Sequence, residues 1–338
     1  MTKKPYPFIF LCFLFLFTAS CNQRAHYMCL EGSALGTTYA ITFRIPEGAP
    51  SAFPDIVEQT LASGFERINN SLSIYNNHSL ISRINKNLTQ ETDSLFRTVF
   101  NRSMDISILT NGAFDISAAP FFDLWGFGFE KRDILRQDSL ELVRQYTGMD
   151  KFRLEGTALY KADPRCSLSM NAIAKGYACD LIAGELSELE ITDMLVEIGG
   201  EIVCRGLNPK KRPWRIGIDS PVDGNIHPGE NIQAVITMTD KGLATSGNYR
   251  NYYIENGKKY AHIIDPQTGL PVKHNLLSAT VIAPDCMSAD AFATALMVMG
   301  LAASIDFLNQ HPELGAYLIY EQGGVFKTYA TDNIIIEL

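Results

Sequence analysis

An α+β fold, one unit with a smaller peripheral helical lobe, is what the chain predicts from three observations. Segments of helical period and segments of alternating, strand-like period are interleaved along most of its length. No internal repeat, low-complexity tract or long linker separates them. The 338 residues are 46% apolar and 20% charged, which supports a substantial core and indicates neither disorder nor a fibrous fold.

Taken in order, residues 27–30 and 37–45 alternate as two strands around Gly32 and Gly36, a hairpin. Residues 55–72 carry Ile56, Leu61, Phe65, Ile68 and Leu72 at near-helical spacing and predict an amphipathic helix. Its polar exit holds one aromatic, Tyr75, either a surface ring or one that stacks on a planar ligand. A second helix spans 92–109 and closes at Asn111-Gly112. The stretch 120–129 is dense in aromatics and glycine without either period, so it reads as a self-packed loop or the wall of an aromatic-ligand pocket. A short helix over 138–148 and a hairpin over 151–161 follow.

Residues 167–180 predict strand, sharp turn and helix. Lys175 and Gly176 stand where free backbone N–H groups and the helix dipole favour a phosphate, although Walker and dinucleotide glycine spacings are absent. Strand segments 194–198 and 201–204 flank a diglycine. Further strands are predicted at 214–219, 231–239, 260–264 and 276–283, with a polar turn at 242–250. Alternation puts His262 and Ile264 on one strand face, and Asp265-Pro266 with Thr268-Gly269 marks a tight turn.

The helix over 286–300 organises the chain, with Ser288 as its N-cap and Gly300 as its stop. Asp290 and Thr294 are four apart and share a face, while Phe292, Leu296 and Met299 read as core. An acid and a hydroxyl in so apolar a helix are costly to bury without a partner, and a hard divalent cation would supply one. The alternative is an acid that suits the positive end of the helix dipole without any metal. A helix over 302–309 and strands at 315–320 and 325–330 complete the chain.

The N-terminus is of another kind. Lys3-Lys4 and an apolar run from Phe8 to Phe17 precede Ala19-Ser20-Cys21. Ten apolar residues are too few to span a bilayer, so the run predicts an export signal. The small pair before Cys21 resembles a bacterial lipoprotein cleavage site, with Thr18 where leucine is usual, and the alternatives are a plain secretory signal or an uncleaved anchor. The expected division is a signal peptide over 1–20 and one domain over 21–338, lipidated at Cys21 and tethered on the periplasmic side. Without residues 1–20 the chain keeps 27 basic against 37 acidic residues, a balance of −10 that argues against a nucleic-acid partner. The remaining cysteines, Cys29, Cys166, Cys179, Cys204 and Cys286, show neither disulfide nor zinc spacing.

Nine segments in register carry a resemblance: ALGTTY from Ala34, SLSIYN from Ser71, TNGAFDIS from Thr110, DLWGFG from Asp123, NAIAKGYACD from Asn171, VEIGGEI from Val196, ATSGNYR from Ala244, HIIDPQTGLP from His262 and ADAFATALMVMG from Ala289. Together they resemble the ApbE family, the FAD:protein FMN transferases. The resemblance implies a T-fold-type arrangement of mixed and antiparallel sheets flanked by helices. It also implies an exported, magnesium-dependent enzyme that moves the FMN half of FAD onto a Thr or Ser hydroxyl of a partner, releasing AMP. By the same resemblance, Asp290 and Thr294 with the carbonyl of Ala172 would hold Mg²⁺, and Ala293 stands where some members have an acid. Leu35, Tyr75, Ala113, Phe114, Asp115, Lys175 and Ile264 would line the FAD site, and His262 would assist proton transfer. Ser169 replaces an aspartate common in the family, keeping a hydrogen bond and losing a charge. The acceptors it suggests are flavin subunits of membrane redox complexes. Two other readings share the site: an FAD pyrophosphatase giving FMN and AMP, and a non-catalytic FAD-binding lipoprotein.

Overall fold

A computed structural model describes residues 26–126, 137–222, 229–248, 252–255, 258–261 and 263–337. The leader, Cys21 and His262 lie outside the described residues. Strands β1 (Tyr27–Ala34) and β2 (Thr37–Arg44) form a hairpin whose two turn residues, Leu35 and Gly36, both have positive φ, 52° and 78°, as a type I′ turn demands. Helix α1 (Phe53–Leu72) starts before the predicted residue 55, with Pro54 in its first turn, and buries Val57, Leu61, Phe65, Ile68 and Leu72. Then come α2 (Leu80–Asn85), a short helix the apolar period is too brief to announce, and α3 (Ser94–Leu109), capped by Asp93. The aromatic stretch read as aperiodic contains α4 (Ala119–Leu124), followed by α5 (Gln137–Arg144). The hairpin β3 (Phe152–Glu155) and β4 (Ala158–Lys161) leads to α6 (Ala174–Glu188).

The second half is mostly strand: β5 (Met194–Ile198), β6 (Glu201–Arg205), β7 (Trp214–Asp219), β8 (Ile232–Met238), β9 (Lys241–Gly247), β10 (Tyr252–Glu255), β11 (Lys258–Ala261), β12 (Ile264–Asp265), β13 (Leu270–Pro271) and β14 (Leu276–Ala283). Helices α7 (Cys286–Met299) and α8 (Leu301–Gln310) follow, then β15 (Gly315–Gln322), β16 (Val325–Ala330) and β17 (Ile335–Glu337).

One eight-stranded sheet, ordered β1-β2-β5-β6-β9-β14-β15-β16, is antiparallel at every junction. Alternation along its strands divides two cores. Val203, Val281, Ala316 and Leu318 face the main core with residues of α1, α3, α6 and α7. Their neighbours Cys204, Ile282, Tyr317 and Ile319 face a second core, with Trp214, Ile216, Ile236 and Met238 of a three-stranded sheet, β17-β8-β7. The molecule is therefore layered as helices, large sheet and small sheet, an α+β fold. A third cluster, Phe121, Trp125, Leu140, Val143 and Ile264, makes the peripheral helical lobe, where Trp125 Nε1 donates to the carbonyl of Gly269 at 2.7 Å.

Two segments differ from expectation. The run 242–250, glycine- and hydroxyl-rich and read as a turn, contains β9, in the sheet interior between β6 and β14. Gly242 is required there because a Cβ would collide with the backbone of Cys286, and the Thr245 hydroxyl is satisfied across the ladder by Thr280 at 2.9 Å. Conversely, the predicted strand at 167–170 has no ladder. The amide of Asn85 takes both backbone groups of Leu168, each at 2.9 Å, and replaces a strand partner.

Candidate active site

Helix α7 is held at its N-terminus by two carboxylates. Asp285, not the predicted Ser288, is the N-cap: its Oδ1 accepts from Ser288 N at 2.7 Å, and Asp180 of α6 accepts from Cys286 N at 2.9 Å and Met287 N at 2.7 Å. Ser288 is buried in the first turn, where Arg102 Nε donates to its hydroxyl at 2.9 Å. Gly300, at φ 75°, ends the helix as expected. Of the predicted stripe Phe292 and Leu296 are core and Met299 is half-buried, while burial extends nearly all round the helix, and Asp290 is 3% exposed.

What surrounds Asp290 explains how a carboxylate survives there. Gly176 lets α6 press against α7, since a Cβ on it would lie 2.8 Å from Asp290 Cβ, and its N–H donates to Asp290 Oδ2 at 3.0 Å. The Lys175 ammonium sits 4.0 Å from Asp290 Oδ2 and 3.0 Å from Glu201 Oε1. Burial raises the Asp290 pKa, with Lys175 and the Gly176 amide pulling against it. Burial likewise raises Glu201, against Lys175. Burial works against the charge on Lys175 too, but Asp290 and Glu201 outweigh it and hold the ammonium above its ordinary range. Two acids thus share one cation, and buried Glu201 Oε2 has no hydrogen-bond partner among the described residues.

One turn beyond Asp290, the Thr294 hydroxyl lies 3.3 Å from that of Ser246 on β9. Both open on a cavity of about 1160 Å³ between the main core and the peripheral lobe, somewhat larger than most small-molecule sites. Ten of the residues singled out in the sequence line it: Tyr75, Ala113, Phe114, Asp115, Ser169, Ala172, Lys175, Ile264, Asp290 and Thr294. Tyr75 stands at its rim, 70% exposed, its hydroxyl accepting from Asn171 Nδ2 at 3.0 Å, whereas Phe114 is 1% exposed and serves as wall. Burial raises the Asp115 pKa, although Ser117 N donates to it at 2.6 Å. Ser169 is pinned by its N–H to Ile116 O at 2.8 Å. Leu35 is half-buried at the tip of the first hairpin and is not among the lining residues.

Residues 35–318 match the model of the ApbE family. The chain belongs to the ApbE family. Its ApbE relatives include proteins named FAD:protein FMN transferase from Vibrio cholerae, 36% identical with 94% of this chain and 95% of the relative covered, and from Haemophilus influenzae, 34% identical with 92% and 91% covered. The solved ApbE flavin transferase of Vibrio cholerae superposes with a TM-score of 0.81 at 33% identity, covering 91% of this chain and 98% of that one. The apo flavinyl transferase ApbE of Pseudomonas stutzeri gives 0.82 at 29% identity, covering 91% and 95%. The fold class and the enzyme class expected from the sequence, a transferase, are those of the ApbE relatives.

The oxygen groups of the Asp290 carboxylate and the Thr294 and Ser246 hydroxyls fit a hard cation better than a soft one. Among the described residues no group of three His, Cys, Asp or Glu side chains is placed to hold a metal. Glu201 is the residue that sequence reasoning passed over. Its signal was an acid directly after a diglycine in an otherwise apolar strand, Ile198-Gly199-Gly200-Glu201-Ile202-Val203.

Proposed function

We propose that this chain is an FAD:protein FMN transferase, dependent on Mg²⁺, which joins FMN through a phosphoester to a Thr or Ser hydroxyl of an acceptor protein and releases AMP. The observation that carries this reading is the buried Asp290, with Thr294 one turn on, opening into a cavity of dinucleotide size in a chain of this family. Asp290, Thr294 and the Ala172 carbonyl would hold the cation. When bound, it would offset the negative charge that builds on the phosphoryl oxygens as the pyrophosphate is cleaved.

The chain's own groups account for the rest. Lys175, kept charged by Asp290 and Glu201, contributes a fixed positive charge beside the phosphates, and Glu201 orients that ammonium. The rim ring of Tyr75 and the apolar wall from Ala113 to Phe114 suit a flat ring system, with Ser169, Asp115 and Ile264 bordering it. His262 takes the proton of the entering hydroxyl on an imidazole nitrogen. That oxygen bonds to the FMN phosphorus as the bond from phosphorus to the bridging oxygen breaks, and the bridging oxygen leaves with AMP.

The reading extends to place and partner. Residues 1–20 are a signal peptide, and the domain over 21–338 is held at the periplasmic membrane face by lipid on Cys21. Its acceptors are flavin-carrying subunits of membrane redox complexes. Among the described residues no helix is long and apolar enough to cross a membrane.

Incubating the mature chain with FAD, Mg²⁺ and an acceptor subunit tests the activity. Flavin fluorescence that stays on the denatured acceptor supports transfer, free FMN alone indicates a pyrophosphatase, and unchanged FAD indicates a binding protein. Asp290→Ala should abolish Mg²⁺-dependent turnover, and full activity in chelator would remove the metal. His262→Ala should keep FAD binding and lose transfer.

A further inference from the structure

One end of the large sheet carries a cationic loop. Strand pairing aligns Tyr27 with Arg44, Phe43 with Met194 and Met194 with Arg205, so these residues share one end of β1, β2, β5 and β6. The loop 206–213 leaves β6 at that end and is tied to the first strand. Tyr27 Oη donates to Leu207 O at 2.8 Å, and the Tyr27 ring meets Trp214 edge-on at 6.5 Å. Asn208 braces the loop from within: its Oδ1 accepts from Lys210 N at 2.8 Å and its Nδ2 donates to Pro213 O at 2.8 Å, while Lys211 N donates to its carbonyl at 2.8 Å.

The crown so formed exposes Lys210, Lys211 and Arg212 in succession, beside Leu207 at 40% exposure. None of the three basic side chains enters an ion pair or side-chain hydrogen bond among the described residues. The acids beneath are engaged: Asp193 accepts from Leu207 N at 2.8 Å and pairs with Arg44 at 3.3 Å, and Asp240 accepts from Gly206 N at 3.0 Å. Two exposed acids stand nearby, Asp240 itself and Glu47, the latter 3.5 Å from Arg44. In a chain of net charge −8, three adjacent free cations on a braced loop are the exception.

The chain outside the described residues bears on the same end. From Cys21 to Tyr27 the backbone spans at most about 20 Å when fully extended. A lipid on Cys21 therefore keeps the loop beside Tyr27 within reach of the bilayer surface. The cavity lies at the other end of these strands, where Gly199 and Glu201 line it, roughly 15 Å along β6 from the loop at about 3.3 Å per residue.

We infer that the loop 206–213 is a membrane-docking element: Lys210, Lys211 and Arg212 rest on anionic phospholipid headgroups, Leu207 touches the interface, and the active-site cavity is turned away from the bilayer. This rests on the lipid-anchor reading above. The anchor restricts distance, and the loop sets orientation, leaving Tyr75 and the cavity mouth open to an acceptor domain that stands off the membrane.

The test uses the mature lipidated protein inserted into phosphatidylcholine vesicles or vesicles enriched in phosphatidylglycerol, with lysine acylation read by mass spectrometry. Lys210 and Lys211 should be shielded on the anionic vesicles and not on the neutral ones. Lys86, on the cavity rim, should label equally on both. High salt should remove the shielding, because headgroup charge is screened within a Debye length. Arg212→Glu should weaken it about fivefold or more, at the contribution expected of one basic residue near an anionic surface. Equal labelling of Lys210 and Lys211 on both vesicle types, or shielding by polyglutamate and not by anionic vesicles, would overturn the inference. Failure of the anchor reads out separately, as a mature N-terminus without lipid that does not float with neutral vesicles. Shielding on anionic vesicles would then still support the loop.

Discussion

At the scale of single residues, the site depends on a glycine and on the charge balance around it. Gly176 lies in α6, where alanine would ordinarily be the better helix former by about 1 kcal/mol. Here its Cβ would lie 2.8 Å from Asp290 Cβ and strike the Cys286 carbonyl, so crowding outweighs propensity. Gly176→Ala should destabilise by about 1–3 kcal/mol, seen as a lower denaturant midpoint at unchanged slope. Asp180 supplies a pH dependence. Burial, against the Cys286 and Met287 amides, raises its pKa from 3.8 to about 7. The folded chain therefore holds this proton more tightly than the unfolded chain does. Its stabilising contribution is complete below pH 3.8 and is lost as pH rises through about 7. The stability of Asp180→Asn relative to wild type should accordingly rise across that window, and a pH-independent difference would contradict the shift.

At the scale of elements, α7 is a buried helix whose ends are specified by side chains. Asp285→Ala removes the bond from Ser288 N and should cost about 1 kcal/mol, measured by chemical denaturation. The sequence located this helix well because its formers are continuous and Gly300 is a plain stop. It misassigned the cap because Asp285 and Ser288 are both capping residues, and only the backbone angles of Asp285, extended at φ −133° and ψ 155°, distinguish them. The strand β9 escaped detection for a related reason. Glycine and hydroxyl residues mark turns in isolation, yet the close approach of α7 and the Thr280 hydroxyl make them suitable in a buried ladder. The helices α2 and α4, six residues each, are too short for their period to be read.

At the scale of the whole molecule, the cavity lies where the layered body meets the peripheral lobe, so a ligand there would bridge both. FAD at about a hundred times its dissociation constant should add about 2.7 kcal/mol to the stability and raise the melting temperature. No shift at saturating FAD would argue against the cavity as the flavin site. Tyr75→Ala should reduce this shift without lowering the melting temperature of the free protein, since the ring stands at the rim and not in the core. An equal fall in both would make Tyr75 structural.

The sequence by itself determined the α+β class, the hairpins at their glycines and the organising helix, because period and turn chemistry are local properties of the chain, and its motifs, through their resemblance to a family, pointed to ten of the residues that line the cavity. Only the tertiary structure decided that Glu201 shares Lys175 with Asp290, that Leu35 stands outside the cavity lining, and that a basic loop sits beside the N-terminal strand. Those relations join residues 26, 115 and 180 positions apart, and burial fixes how strongly their charges interact, which no local pattern encodes.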